Sequence, residues 1–433
     1  MSFDIVIAGG GFGGFYAART LERALPRHSA RVKLVNDANF MLYTPLLPGA
    51  AGATLDPRHV IVPLRSQLHQ TDLVIGRVTG CDPATRTVAA CRIDGKEIEL
   101  KYDQLIVALG SVSRTLPIPG LAEHATGFKS LSDATALRNR VLSCLDIAES
   151  LEDSLARREY LTFVFVGAGY AGVEGLAELQ DFAAEVIHLY PRCHAEGMRW
   201  LLVEAREQIM PEIPGALAHF AARELRSRGI ELRLKTTLSQ ITQTGATLSG
   251  DEVIPARTVV WTAGVRPAPV VSRLGLPLDS SGRIRVDATM RVLGHPQVWA
   301  IGDCAAVPDP SRRGQSCPPT AQHAIRQGRR VAHNVVASHG RGRPQPFRYR
   351  TRGMVADLGQ RQAVAITMGV RWRGLPAWLI ARTYHLLLMP GWGRRLRLLI
   401  DWNIALLFGR DASSPGRLGS PTALEGEELV SNP

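Results

Sequence analysis

The sequence predicts an α/β protein built on two parallel sheets, because one pattern of strand, glycine-rich turn and helix occurs twice along the chain. In the first copy an apolar run ends at Gly9, and helix-forming residues follow Gly14. The second copy has the same spacing between Gly167 and Gly172. A length of 433 residues also exceeds what one hydrophobic core usually fills. We therefore expect two Rossmann-like domains, with further segments outside them.

The glycine spacing of the first copy suits a dinucleotide. Gly9 would permit a tight turn, Gly11 would let the backbone approach a pyrophosphate, and Gly14 would allow the helix to pack closely on the strand. The helix N-terminus adds amide donors and the positive end of a dipole. One such motif alone gives weak support, because a plain glycine-rich turn can have the same spacing.

The second copy makes a chance match improbable. Gly167, Gly169 and Gly172 again follow an apolar strand and precede a helix. Two such motifs predict two bound dinucleotides. A protein that holds two at once is expected to pass a hydride or electrons between them, because the cofactors carry this chemistry and the protein places them.

The net charge of +12 and the pI near 9.9 favour an anionic partner. Arginine is concentrated late in the chain and only five lysines occur, so a GC-rich genome explains the charge equally well. Nucleic acid is not expected, because the sequence lacks the interleaved aromatic and basic residues of a single-strand groove.

Six cysteines are scattered without any CxxC pair, so neither a dithiol redox motif nor a zinc site is indicated. The N-terminus enters a predicted strand directly, without the charged and apolar regions of a signal peptide. We therefore expect a cytosolic protein with reduced thiols and no metal site.

The strand after the first glycine turn ends where a side chain should meet the adenosine ribose. An acidic residue is usual there, but this chain has Asn36, followed by Asp37. Either residue can hydrogen-bond a ribose, and a turn built by both of them with Asn39 explains the pattern equally well. An apolar loop over residues 39–52 follows, which we expect to pack beside a cofactor ring or in a core. The next buried strand of this region ends at Gly110.

The equivalent position of the second copy holds Glu204. A carboxylate there accepts a hydrogen bond from a ribose 2′-hydroxyl and repels a 2′-phosphate. NADH is therefore the expected nucleotide. NADPH stays an alternative, because Arg199 and Arg206 lie close by in the sequence.

Two later strands also run into glycine, at Gly264 and at Gly302. The second glycine precedes Asp303. A carboxylate is unfavourable beside a pyrophosphate, so we expect Asp303 to accept hydrogen bonds from sugar-like hydroxyls, such as those of a flavin's ribityl chain. A helix N-cap is the alternative role for this residue.

Together these motifs resemble the two-dinucleotide flavoprotein superfamily. Three shorter stretches add to the two glycine turns: Trp-Thr-Ala-Gly-Val-Arg-Pro at 261–267, Ile-Gly-Asp at 301–303, and Pro-Pro-Thr-Ala-Gln-His-Ala at 318–324. Within the superfamily the chain looks most like the type II NADH:quinone oxidoreductases, over about residues 3–410. The resemblance implies an FAD domain made of two chain segments, an inserted NADH domain, and transfer of two electrons from NADH through FAD to a quinone without proton pumping.

This likeness divides the chain into five segments. A linker near residue 117, rich in proline and glycine, marks the first boundary. The segments are an FAD-domain segment (1–115), the NADH domain (116–285), a second FAD-domain segment (286–345), a membrane-associating domain (346–410) and a disordered tail (411–433).

The resemblance also implies which residues surround the cofactors. Thr44 and Pro45 would approach the isoalloxazine of FAD, and Glu174 would lie near the nicotinamide and the flavin. Stabilisation by the helix dipole is the alternative reason for a carboxylate at Glu174. The other predicted cofactor-binding residues are Gly9, Gly11, Phe12, Gly14, Asn36 and Asp303 for FAD, Gly167, Gly169, Gly172 and Glu204 for NADH, and Asp37, Gly110, Gly264 and Gly302 near the ends of strands.

Residues 318–322 match the family's segment at the flavin edge, where the quinone head group is thought to dock. Ala321 and Gln322 are thereby implied at the quinone site. The family often has a second glutamine four residues after the first, but this chain has Arg326 there. Arg326 could donate to a quinone carbonyl, or the electron acceptor could differ.

The family's last segment attaches the protein to a membrane, and the residues here agree. Apolar stretches at 376–389 and 394–408 are separated by a Pro-Gly pair, and neither has the roughly 18 uninterrupted apolar residues that span a bilayer. Trp378, Trp392 and Trp402 beside arginines are typical of an interfacial helix on anionic lipid. We expect peripheral attachment to the cytoplasmic side of the cell membrane.

The second of these stretches has a predicted polar face and a predicted apolar face. Arg394, Arg397 and Asp401 share one side of the helix, and most of the leucines lie opposite, although Leu398 interrupts the separation. Packing of this helix on its own protein or in a homodimer is the alternative to lipid.

Two other functions fit parts of the sequence. A sulfide:quinone reductase, which is a relative, depends on paired reactive cysteines, for which Cys144, Cys304 and Cys317 are candidates. From a different class, a basic flavoprotein that binds NADH as a signal would need no quinone.

Overall fold

Two sheets hold the central structure of the protein, and each contains parallel strands and one strand that runs into a glycine turn. The larger sheet is mixed, because its outer strands Arg291–Val292, Thr87–Arg92 and Glu97–Lys101 pair antiparallel with their neighbours. The computed structural model describes residues 3–26, 29–312, 314–340, 342–351 and 353–414. The predicted tail at 411–433 thus lies outside the described residues from position 415 onward. The α-helices of the described ranges are Phe12–Ala24, Leu47–Ala51, Leu121–His124, Leu131–Ser150, Ser154–Leu161, Tyr170–Val186, Pro191–Glu196, Gly215–Ser227, Ala321–Ser338, Leu375–Leu388 and Trp392–Phe408.

The larger sheet joins strands from the start of the chain to strands near residue 300. Its central strand, Phe3–Ala8, pairs in parallel with Ala30–Asn36 on one side and with Gln104–Val107 on the other. The central strand is buried and apolar beyond its first residues, as expected where elements cover both faces of a sheet. In order across the sheet, the eight strands found among the described residues are Arg291–Val292, His295–Ala300, Gln104–Val107, Phe3–Ala8, Ala30–Asn36, Thr71–Asp82, Thr87–Arg92 and Glu97–Lys101.

The smaller sheet is formed by residues that lie between these two parts of the chain, and all of its pairings are parallel. Its central strand, Thr162–Val166, is buried along its whole length. In order, its five strands in the described ranges are Ala125–Gly127, Thr258–Trp261, Thr162–Val166, Arg199–Glu204 and Glu231–Leu234. The prediction of an α/β protein with two Rossmann-like sheets is confirmed.

Smaller sheets and strand pairs, most of them antiparallel, surround the two central sheets. Two three-stranded sheets comprise Leu238–Thr242, Gly245–Leu248 and Val253–Pro255, and Gly353–Asp357, Ala363–Thr367 and Val370–Arg373. Short strand pairs are Phe40–Leu42 with Ile61–Pro63, Ser111–Ser113 with Val265–Pro267, and Ile284–Arg285 with Ala305–Ala306, the last of which is parallel.

The sequence predicts one helix from Leu131 to about residue 156 with Ser132 as its N-cap, and the structure differs from this in two details. Its N-cap is Ser130, not Ser132, because the Ser130 hydroxyl accepts from the backbone N–H of Asp133 while the Asp133 carboxylate accepts from the backbone N–H of Ser130. The helix also ends at Ser150, and a second helix, Ser154–Leu161, follows it. Asp153 caps this second helix, so the chain turns where one continuous helix was expected.

Helix Ala321–Ser338 packs directly on helix Phe12–Ala24. A Cβ atom added at Gly328 would lie 2.3 Å from the carbonyl oxygen of Gly13, which is closer than two such atoms can approach. A side chain at residue 328 would therefore separate the two helices. The glycine lets the segment predicted at the quinone site lie against the first glycine-turn helix.

Candidate active site

The first glycine turn leaves no room for side chains at two of its positions. Gly9 has φ of +101°, and a Cβ atom there would lie 2.4 Å from the Ala108 carbonyl oxygen. A Cβ atom at Gly14 would lie 1.7 Å from the Gly9 carbonyl oxygen. Both positions therefore need glycine, one for the turn and one for the contact between helix and strand.

The second turn repeats this geometry. Gly167 has φ of +105°, and a Cβ atom at Gly172 would lie 1.9 Å from the Gly167 carbonyl oxygen. Gly11 and Gly169 differ from the other glycines of the turns. Apart from the adjoining backbone, no heavy atom of the described residues lies within 4 Å of a Cβ atom added at either position. Space in front of the backbone is what a pyrophosphate needs, so both turns fit a bound dinucleotide.

Asn36 and Glu204 have equivalent places in the two turns. The Asn36 side-chain oxygen accepts from the backbone N–H of Gly10 at 2.7 Å, and the Glu204 carboxylate accepts from the backbone N–H of Ala168 at 2.7 Å. Each donor is the residue between the first two glycines of its turn. Asn36 in the first sheet therefore holds the position that Glu204 holds in the second sheet. A ribose is expected at this position.

Two oxygens of Glu204 are already used by the backbone. Besides the bond to Ala168, its second carboxylate oxygen accepts from the backbone N–H of Arg206 at 3.0 Å. The Asn36 amide nitrogen donates to the carbonyl oxygens of Ala38 and Phe40 at 2.8 and 3.3 Å. Asn36 therefore shapes the turn that follows it, and its carbonyl oxygen is the atom with capacity left for a ribose hydroxyl.

A cavity of about 1560 Å³ opens beside the first turn. Gly11, Asn36 and Asp37 line it, so Asp37 lies beside Asn36 in the same cavity. Further lining comes from the loop at 38–58, from helix Leu131–Ser150 and from the C-terminal helix.

Asp303 belongs to a chain of three polar side chains. Ser111 donates its hydroxyl to the Asp303 carboxylate at 2.6 Å, and the Lys129 ammonium donates to the Ser111 hydroxyl at 3.1 Å. Asp303 lies inside a short 3₁₀ turn whose N-cap is Ile301, so the N-cap role is wrong. No sequence pattern marks Lys129 or Ser111, because they are 18 residues apart and far from Asp303 along the chain.

Glycines predicted near the ends of strands have left-handed backbone angles. Gly110, Gly264 and Gly302 have φ of +67°, +89° and +71°. The backbone N–H of Gly302 donates to the side-chain oxygen of Gln327 at 2.7 Å. Gln327, which is buried, thus orients the turn that carries Asp303.

The apolar loop at 39–52 is part of the interior. Met41, Tyr43 and Leu46 are buried in the same core as the first sheet. Thr44 and Pro45 begin a 3₁₀ turn, and Pro45 lines a small cavity together with Glu174. Phe12, at the start of the first glycine-turn helix, contacts the Tyr43 ring edge to face at 5.5 Å.

Glu174 lies in the first turns of helix Tyr170–Val186, which starts at the second glycine turn. The pKa of Glu174 is raised to about 8, mainly by burial. The backbone N–H of Asp357 donates to the carboxyl group at 2.9 Å and lowers the pKa, whereas the negative charges of Asp357 and Glu178 raise it. The small cavity beside Glu174 measures about 40 Å³, enough to hold a water molecule. Glu174 is therefore a protonated carboxyl group at neutral pH.

Other charged groups around this cavity were not predicted. Burial raises the pKa of Glu178 and of Asp357, and the Arg382 guanidinium is sandwiched by Trp378 at 4.2 Å and Trp402 at 4.8 Å. Glu178 precedes the other groups by more than 170 residues along the chain, so no local pattern marks the cluster. Trp378 and Trp402 are half-buried, and their predicted place at a lipid interface stays a prediction.

Gln322 and Ala321 begin helix Ala321–Ser338, with Thr320 as N-cap. The Tyr349 hydroxyl donates to the Gln322 side-chain oxygen at 2.6 Å, and the Gln322 amide donates to the Gly353 carbonyl at 3.3 Å. The Arg326 guanidinium stacks 4.1 Å from the centre of the Tyr349 ring and donates to the Gln322 carbonyl oxygen at 3.0 Å. Arg326 therefore braces the tyrosine that orients Gln322.

The cysteines offer no reactive pair. All six lie in the described residues and are free. Cys144, Cys304 and Cys317 are buried, and burial raises the pKa of Cys304 and of Cys317 to about 11. These thiols are therefore protonated at neutral pH, whereas nucleophilic sulfur chemistry needs the thiolate.

The C-terminal helix presents its polar side to the protein. Arg394 donates to the Arg58 carbonyl oxygen at 2.7 Å, and the Asp401 carboxylate lies 2.6 Å from the His59 ring nitrogen. Leu398 is fully buried, which explains its place on this side. The exposed large apolar residues of the last two helices are Leu375, Leu379, Leu387, Trp392, Leu396, Leu399, Ile400, Ile404, Leu406, Leu407 and Phe408. No helix in the described ranges is long and apolar enough to cross a membrane.

A family model described as pyridine nucleotide-disulphide oxidoreductase matches residues 3–328. Type II NADH:quinone oxidoreductase Ndh of Mycobacterium tuberculosis is 31% identical over 425 residues, which cover 94% of this chain and 88% of that protein. This chain belongs to the pyridine nucleotide-disulphide oxidoreductases, among the type II NADH:quinone oxidoreductases.

Two further comparisons agree with this membership. Demethylphylloquinone reductase NdbB of Synechocystis is 31% identical over 406 residues, which cover 92% of this chain and 95% of that protein. The structure of NDH2 from Plasmodium falciparum in complex with NADH has a TM-score of 0.88, with 18% identity, over 95% of this chain and 100% of that one. At that identity the structural likeness shows the fold.

Proposed function

We propose that this protein oxidises NADH and reduces a quinone, using bound FAD, at the surface of a membrane. The observation that carries the proposal is the presence of two glycine turns of the same geometry in one chain, each open in front of its middle glycine. The first turn, with Asn36, suits FAD, and the second, with Glu204, suits NADH. The names of the relatives, which include quinone and demethylphylloquinone reductases, support this pairing of donor and acceptor.

The charge of Glu204 sets the expected nucleotide. Its carboxylate accepts from the backbone N–H groups of Ala168 and Arg206, which hold it at the end of its strand, where we expect the ribose. A 2′-phosphate would meet this negative charge at close range, whereas a 2′-hydroxyl could donate to it. NADH is therefore favoured over NADPH.

FAD, when bound, takes up a hydride from NADH and gives two electrons to a quinone, and the protein's part is placement and proton supply. Glu174 holds a proton at neutral pH beside a cavity that can contain water, so it can serve as a local proton store. Asp303, with Ser111, would accept from sugar hydroxyls of FAD. Gln322, held by Tyr349, would orient the quinone.

The exposed apolar side of the last two helices supports attachment to a membrane. Trp392, Leu407 and Phe408 are 77%, 72% and 83% exposed, which is unusual for such large apolar groups in water. The inward polar side of helix Trp392–Phe408 leaves the leucines to meet lipid. That this surface is the cytoplasmic side of the cell membrane stays a prediction.

The alternative functions lack comparable support. A sulfide:quinone reductase would need reactive cysteines close together, but Cys304 and Cys317 are buried and protonated. The relatives are named as quinone oxidoreductases or quinone reductases, which does not favour a signalling flavoprotein.

An anaerobic visible spectrum of the purified protein tests the proposal. We expect a bound-flavin spectrum, bleaching on addition of NADH, and recovery of the spectrum on addition of a soluble quinone. Bleaching without recovery would show that another acceptor replaces quinone. A protein that has no flavin, or whose flavin NADH does not bleach, would contradict the proposed function.

A further inference from the structure

One carboxylate of the C-terminal helix Trp392–Phe408 makes two contacts with the first sheet's side of the protein, beside the bond from Arg394 to the Arg58 carbonyl oxygen. Asp401 lies 2.6 Å from the His59 ring nitrogen and accepts from the backbone N–H of Asp56 at 3.1 Å. Asp401 is mostly buried, with 14% of its side chain exposed. These two contacts tie the helix to the turn that follows the apolar loop at 39–52.

A second anchor holds the residues just after the helix to the other sheet's side. The Arg410 guanidinium is 9% exposed and forms ion pairs with Asp181, with Glu185 at 3.3 Å and with Glu178 at 3.8 Å. All three carboxylates belong to helix Tyr170–Val186. One short stretch, 401–410, therefore bridges both halves of the protein.

The same stretch forms a wall of the cavity that contains the first glycine turn. The wall includes Asp401, Ile404, Ala405, Gly409 and Asp411. The same cavity is also lined by Gly11, Asn36 and Asp37, which are predicted to hold the adenosine half of FAD. The cavity volume of about 1560 Å³ exceeds the few hundred to about 1,000 Å³ of most ligand pockets, so the cavity has room for a molecule as large as a dinucleotide.

We propose that residues 401–411 complete the FAD cavity, and that Asp401 and Arg410 are positioning residues that keep FAD bound. This role rests on the proposed use of FAD by this chain. Detaching the wall would open one side of the cavity to water and give the cofactor a route out. The C-terminal segment therefore has a role in cofactor retention that is separate from its exposed apolar surface.

Asp401→Ala tests the proposal, and Leu407→Ser is the matched control on the same helix. FAD remaining with the protein is measured by fluorescence over time after dilution. Losing the contacts of Asp401 should speed FAD dissociation on the order of ten-fold, the size expected for a partly buried, charge-assisted hydrogen bond. Leu407→Ser should leave dissociation unchanged. Equal retention by Asp401→Ala and wild type would overturn the proposal.

Thermal unfolding with and without FAD separates this role from a general loss of stability. If Asp401 retains FAD, the rise in Tm that FAD causes should be smaller in Asp401→Ala than in wild type. An equal rise in both proteins would show a purely structural residue and overturn the proposal. Ala405→Trp provides a second test that can be used even if Asp401→Ala does not fold. This substitution breaks neither anchor and fills part of the cavity from the helix side, so it should weaken FAD binding.

The outcome is distinguishable from failure of the proposed function. A wild-type protein that cannot bind FAD would contradict the function itself. A wild-type protein that binds FAD, together with Asp401→Ala and Ala405→Trp variants that bind it equally well, would overturn only the role of the C-terminal wall.

Discussion

The raised pKa of Glu174 predicts that quinone reduction slows above pH 8. With a pKa of about 8, the carboxyl group is roughly ten-to-one protonated at pH 7 and roughly one-to-ten at pH 9. If Glu174 supplies the proton that quinone reduction consumes, the turnover rate should fall by roughly ten-fold between these pH values. Glu174→Gln keeps the shape and removes the titration.

The main assay is steady-state NADH oxidation with a soluble quinone from about pH 6 to about pH 9.5, a range that spans the titration of the carboxyl group. Stopped-flow bleaching of the flavin by NADH is measured over the same range. Wild type should lose turnover through pH 8. Glu174→Gln should be slower at neutral pH and flat through this range. Glu123→Gln, an exposed carboxylate on another helix, is the control and should follow wild type. Identical pH profiles for wild type and Glu174→Gln would refute the reasoning.

Protein stability gives an independent check of the same group. Because the pKa of Glu174 rises from 4.5 to about 8 on folding, the folded state binds the proton more tightly than the unfolded state. The contribution of Glu174 to the free energy of unfolding is therefore fully present below pH 4.5 and is lost as pH rises toward 8. The free energy of unfolding should fall by up to about 1.4 kcal/mol per pH unit in this range. Urea unfolding of Glu174→Gln should show a weaker decline across this window.

Three further predictions address the other parts of the site. Glu204→Gln keeps one of the two oxygens that accept from the backbone and removes the negative charge, so the preference for NADH over NADPH, measured as a ratio of kcat/KM values, should fall by roughly ten-fold. An unchanged ratio would exclude the ribose assignment. Replacing Leu407 and Phe408 together by serine should reduce sedimentation with anionic vesicles while NADH oxidation with a soluble quinone persists; equal sedimentation would show that lipid binds elsewhere. Tyr349→Phe loses the 2.6 Å bond to Gln322, and should raise the KM for quinone several-fold while flavin bleaching by NADH is unchanged.

The sequence predicts those structural elements that depend only on residues close together along the chain. The glycine turns, their strands and their helices follow from spacing alone, because each is a local element with strict steric needs at Gly9, Gly14, Gly167 and Gly172. Asn36 and Glu204 follow for the same reason, since each lies at the end of the strand that succeeds its glycine-turn helix. The two central sheets are therefore predictable from local patterns.

The sequence does not predict contacts between distant segments. Lys129 reaches Ser111, and Asp357 reaches Glu174, only because the fold brings their strands and helices together. Arg326 shows the same limit, since its position in the motif suggested a direct role at the quinone, whereas the structure stacks it on Tyr349. Long-range polar contacts have no periodicity that a single sequence could display.

The C-terminal helix shows why an amphipathic pattern defines two faces without telling which face meets the protein. Polar residues on such a helix usually face water, and the apolar face usually meets a core. Here the turn at 56–59 offers backbone N–H and carbonyl groups with a histidine, so Arg394 and Asp401 bind there and the apolar face turns outward. The exposed leucines are thus a consequence of the polar anchors. Since Asp401 also borders the cavity of the first glycine turn, the contacts that leave the apolar face of the helix exposed also hold the helix beside this cavity.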